Sequence, residues 1–126
     1  MRPFQWWGWL STIGGYISGN GYVWPFRSDN ATVDWRNHLD TPGTRDMARL
    51  NAFIHSIAWQ NLVPSSLGGM RPLITAGGSV ASAADYVAAA AAPDGKLLAA
   101  YVPPAHNGSI SVDMGAMSAT SRARWF

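Results

Sequence analysis

Cysteine and glutamate are both missing from this 126-residue chain, and lysine occurs once, as Lys96. Without cysteine there is no disulfide, no thiol nucleophile and no zinc-thiolate site. Without glutamate, all carboxylate chemistry falls to seven aspartates: Asp29, Asp34, Asp40, Asp46, Asp85, Asp94 and Asp113. No apolar run approaches the ~18 residues that mark a bilayer-spanning helix, so no membrane partner is expected. The opening MRPFQWWGWL joins a positive charge to apolar residues, but Gln5 and three tryptophans interrupt it and no small-residue cleavage pattern follows. It does not read as a signal peptide.

Other signals are also lacking. The formal charge is only +2, and the eight arginines are scattered as Arg2, Arg27, Arg36, Arg45, Arg49, Arg71, Arg122 and Arg124. No concentrated basic stripe is visible, and nucleic acid is not expected as a partner. His38, His55 and His106 belong to no ligand-spaced motif, so no metal is expected. There is no G-x-S-x-G elbow, and the pairs Gly14-Gly15, Gly68-Gly69 and Gly77-Gly78 lack the spacing of a phosphate loop. No cofactor is predicted, and no internal repeat is found.

What remains is a chain with 48% hydrophobic residues and seven tryptophans. At this length roughly two thirds of the unfolded surface can be buried, enough for a core without staples. Pro3 opens a stretch in which Phe4, Trp6, Trp7, Leu10 and Ile13 recur at helical spacing until Gly14-Gly15. The adjacent Trp6 and Trp7 require burial over a wide arc. A short strand is expected around Tyr16 to Ser18. A short helical turn fits Val33 to Leu39. Thr41-Pro42 then caps a helix running to about Ile57, with Met47, Leu50, Phe53, Ile54 and Ile57 as its apolar stripe. Arg45, Asp46 and Arg49 lie off that stripe, and Asp46 and Arg49 are spaced to pair.

Beyond Pro64 the period changes. Leu73 to Ala76, Asp85 to Ala92, Lys96 to Val102, Ser109 to Met114 and Arg122 to Phe126 read as short strands separated by turns. Pro93-Asp94-Gly95 is a hairpin signal. Alanines 88–92 favour helix by propensity, but the run is short and its flanks favour a strand and a turn. The prediction is α+β: an N-terminal helical segment with one short strand, residues 1–64, and a C-terminal antiparallel β-sheet or partial β-sandwich, residues 65–126. The helical half should pack on that sheet, or two copies should pair and cover each other's apolar faces.

For chemistry, the stretch Gly14 to Phe26, GGYISGNGYVWPF, stands out. Aromatic faces stack on the C–H faces of sugars, and Asn and Tyr bond to hydroxyls, so Asn20, Tyr22 and Trp24 are the ligand-binding candidates. Asp34 and His38, four residues apart, could share one side of a helical turn as an acid-base pair. Asp40 precedes the helix cap and Asp94 reads as a turn residue.

The order of segments also resembles a known arrangement. RPFQWWGWLSTIGGYISGNGYVWPF and WRNHLDTPGTRDMARLNAFIHSIAWQNLVPS look like the last part of the (β/α)8 barrel of apiosidase-like glycoside hydrolases. The stretch from Ile74 to Phe126 resembles the β-sandwich that follows this barrel, often described as a collagen-binding domain. The most specific matches are the Gly14 to Trp24 loop, Leu39-Asp40-x-Pro42-Gly43, Asp85-Tyr86-Val87 with Pro93-Asp94-Gly95-Lys96, and Ala123-Arg124-Trp125-Phe126. The resemblance implies that Gly14 to Phe26 is an eighth strand and its loop, on the face where barrel active sites lie. It implies a carbohydrate partner and a fragment of a longer hydrolase, whose catalytic carboxylates come from earlier strands; no residue here is assigned a catalytic role. The expected function is a carbohydrate-associated module for plant cell-wall saccharides. The alternatives are a small glycosidase or esterase using Asp34 and His38, with a site shared between subunits, and a purely structural fragment.

Overall fold

The computed structural model describes the chain apart from Met1, Ile13, Tyr16 and Ser18 and the side chain of Thr12. Helix α1 spans Arg2–Thr12. Most of its apolar arc is used, although Phe4 stays exposed and Ile13 lies outside the described residues. Trp9 and Leu10 are buried, and Trp6 and Trp7 both pack against the same core. The indole N–H of Trp7 donates to the Tyr86 carbonyl at 2.9 Å, so this ring is packed and also satisfied as a donor.

Helix α2 spans Pro42–His55, and the Thr41 hydroxyl caps it by accepting from the Thr44 amide at 3.2 Å. Leu50 is buried, and Phe53, Ile54 and Ile57 close around α1. Burying Leu10 and Leu50 stabilises the fold by about 1.5–3 kcal/mol each. Between the helices, the turn predicted over Val33 to Leu39 is a short 3-10 helix, Trp35–His38. A further 3-10 turn, Trp59–Asn61, follows α2.

Strands β1 (Val63–Pro64), β3 (Ala88–Ala91) and β4 (Leu98–Tyr101) form one antiparallel sheet in the order β1-β3-β4. Strands β2 (Ile74–Ala76) and β5 (Ser111–Val112) form a second antiparallel pair. The central strand β3 is all alanine and wholly buried. Ala88 and Ala90 face the helices, Trp9 and Leu10 among their neighbours. Ala89 and Ala91 face Leu73, Ile74 and Met70 on the other side. Methyl side chains on both faces let α1 and the β2 layer approach β3 closely. That packing overrides the helical propensity of alanine. The register Ala88↔Tyr101 to Ala91↔Leu98 is closed by the Pro93-Asp94-Gly95 turn. Gly95 sits at φ +70, and a Cβ there would lie 2.5 Å from the Ser118 amide nitrogen. Only glycine meets both conditions.

The fold is α+β, two helices followed by small antiparallel sheets, with the helical half packed on the sheet. Several expectations are corrected. Residues 122–126 form no strand, because no neighbouring strand pairs with them; the ring of Phe126 rests instead on Phe53, at 5.0 Å. Strand β1, which lacks any alternating pattern, forms because Val63 and Pro64 pair with Ala91 and Ala90. The strand expected over Tyr16 to Ser18 has its two end residues outside the described set, and Ile17 between them is in no strand and is exposed. Asp46 is not on an open polar face. It is buried, because Arg2 from α1 closes over it.

Candidate functional site

The Gly14 to Phe26 stretch ends in a tight loop that Asn20 organises. Its Oδ1 accepts from the amides of Tyr22 at 2.9 Å and Val23 at 3.4 Å, and its Nδ2 donates to the His38 carbonyl at 2.9 Å. The Trp24 amide then bonds back to the Asn20 carbonyl at 2.9 Å. This is a local side-chain-to-backbone turn, and it ties the loop to the Trp35–His38 helix. The Tyr22 ring lies flat on the His38 imidazole, with centroids 3.7 Å apart and planes 9° off parallel. Phe26 meets Trp35 edge-on at 5.6 Å. Held this way, Trp24 projects outward with 82% of its surface exposed, beside exposed Phe26.

The three predicted ligand residues are thus brought together, with different roles. Trp24 offers an open aromatic face, and Tyr22 offers one side of a ring whose other side is covered. Asn20 has committed its amide to the backbone and positions the other two.

Asp34 and His38 do not form a dyad. Asp34 caps the 3-10 helix, accepting from the Arg36 amide at 2.9 Å and from the Arg36 guanidinium at 3.3 Å. The Nε2 of His38 lies 2.9 Å from the Thr32 carbonyl, which makes that nitrogen the N–H donor. The other carboxylates are also occupied. Asp29 pairs with Arg27, Asp85 accepts from the Ser79 hydroxyl, and Asp94 accepts from the Lys96 amide in the hairpin turn. Two hydrogen bonds from Arg45 hold Asp40 below the usual carboxylate range, and Arg71 with the Gly115 amide does the same for Asp113. Among the described residues no three histidine or acidic side chains gather as a metal site.

A second surface has no local signature in the sequence. A groove of about 1340 Å³ runs between α1, α2, β4 and the C-terminal segment. On its helical side Trp6 stacks on Tyr101, with centroids 5.3 Å apart and planes 8° off parallel, and Trp6 also meets Phe53 at 5.0 Å. Asp46 Oδ1 accepts from Arg2 Nε at 3.0 Å, Arg2 Nη2 at 2.7 Å and Arg49 Nη1 at 3.0 Å. The hydrogen bond from Arg2, opposed in part by burial, holds the Asp46 carboxyl below its ordinary value. Tyr101 is buried beside this cluster, its hydroxyl without a hydrogen-bond partner among the described residues. Burial pushes its pKa up. The groove's charged residues, Arg2, Asp46, Arg49, Lys96, Arg122 and Arg124, are spread from one end of the chain to the other, so no sequence window contains them.

Compared with protein-family models, with curated proteins and with solved structures, the chain matches none.

Proposed function

We propose that this chain is a non-catalytic carbohydrate-binding module in which Trp24 is the stacking platform, Tyr22 its flanking contact and Asn20 the residue that holds both in place. The observation that carries this reading is the 82% exposure of Trp24 on a loop whose start is fixed by the Asn20 side chain, which bonds to both the Tyr22 amide and the His38 carbonyl. A large apolar ring left in water on a rigid turn is available for an aromatic–sugar contact at little ordering cost. The resemblance to the end of a glycoside hydrolase barrel supports the same ligand class, with plant cell-wall saccharides first among them.

A hydrolytic reading based on Asp34 and His38 gains no support, since each side chain bonds to a different backbone group. The test is titration with neutral plant cell-wall oligosaccharides, followed by calorimetry in both the parent and Trp24→Ala, with tryptophan fluorescence of the parent as a second readout. Binding is expected in the parent and loss of at least about tenfold in the variant, the scale of one aromatic stacking contact. Equal binding by both proteins would remove the loop as the site.

A further inference from the structure

We propose that the groove between α2, β4 and residues 118–126 binds anionic saccharides, meaning pyranose chains that carry carboxylate or sulfate groups. The inference rests on the carbohydrate reading but uses a different surface and different residues. Arg2, Arg49, Lys96, Arg122 and Arg124 line this groove, against Asp46 as the one carboxylate side chain among the described residues that line it. Arginines scattered along the sequence are thereby gathered on one face of a chain whose formal charge is only +2. Arg2 and Arg49 share Asp46, and Lys96 lies 3.5 Å from Asp94. Arg122 and Arg124 take part in none of the ion pairs found among the described residues.

Aromatic surface is interleaved with this charge. Trp125 is 91% exposed between Arg124 and Phe126, and the Phe126 ring reaches across to Phe53. Guanidinium groups bind carboxylate and sulfate through paired N–H donors. Aromatic faces accept the C–H side of a pyranose. The groove, at about 1340 Å³, exceeds the roughly 300–1,000 Å³ of sites that enclose one small ligand, so a run of sugar residues fits it better than a single one. Single-stranded nucleic acid fits less well. Its phosphates favour an unbroken cationic track, and Asp46 interrupts this one.

The test is affinity electrophoresis of the intact chain in gels containing alginate, dextran sulfate or neutral dextran. Arg122→Gln/Arg124→Gln is run beside the parent, since both changes fall in an exposed segment outside regular structure. Alginate or dextran sulfate should retard the parent and neutral dextran should not. The double variant should bind roughly tenfold more weakly, and added salt should weaken the parent. Retardation by alginate alone assigns carboxylate, by dextran sulfate alone assigns sulfate, and by both assigns charge on a pyranose. The inference is overturned if neither polymer retards the parent, if the double variant matches the parent, or if oligo-dT binds as tightly with the same dependence on Arg122 and Arg124. Such a failure leaves the Trp24 loop untouched, because that site is read with neutral oligosaccharides and Trp24→Ala.

Discussion

Trp9 and Trp24 are the same residue in opposite situations, 2% and 82% exposed. Trp9 lies on a helix whose apolar residues recur every three or four positions, and the alanine strand β3 gives it a surface it can reach closely. Trp24 lies on a turn closed by Asn20, where the described residues leave its ring largely uncovered. Tryptophan content therefore says little about a binding site. The backbone that carries each ring decides whether it becomes core or contact.

The comparison breaks most visibly at the buried end. Trp9→Ala should destabilise the fold by about 3–5 kcal/mol, read as a lowered urea midpoint with an unchanged slope. Trp24→Ala should move stability by no more than about 0.5 kcal/mol, because the ring is largely exposed. Similar losses in the two variants would mean that the loop belongs to the core.

Gly95→Ala should come next, at about 1–3 kcal/mol. The φ of +70 is strained for any other residue, and the new Cβ would push against the Ser118 amide. A stability equal to the parent would contradict the tight turn between β3 and β4.

The Asp46 cluster gives a smaller effect with a sign set by pH. The Arg2 hydrogen bond lowers the folded pKa of Asp46 below the ordinary value of about 3.9. The stabilisation is therefore complete above that ordinary value and is lost as pH falls through the lowered folded one. Asp46→Asn should be less stable than the parent at neutral pH and should approach it under strong acid. Parallel stability–pH curves would show that Arg2 and Arg49 do not hold the carboxylate.

These contrasts match what could be read in advance. Helices α1 and α2, the Thr41 cap, the alanine strand and the Pro93-Asp94-Gly95 turn were legible because each is written in neighbouring residues. Strand β1 was not, since two residues carry no period and only their pairing with Ala90 and Ala91 makes them a strand. The burial of Asp46 was hidden because its partner Arg2 is 44 positions away. At the loop, the aromatic residues were visible in sequence. That the Asn20 amide would be consumed in holding them followed only from the backbone around His38. The basic groove was invisible for the same reason as Asp46, because folding assembles it from four separate stretches around Arg2, Arg49, Lys96 and Arg122 to Arg124.

The most direct test of the carbohydrate reading is calorimetric titration of neutral plant cell-wall oligosaccharides into the parent and Trp24→Ala at matched concentration and salt. A saturable exothermic isotherm in the parent, weakened at least about tenfold in the variant while its unfolding midpoint stays unchanged, is the predicted result. No heat in the parent across the panel, or the same isotherm in both proteins, would contradict it.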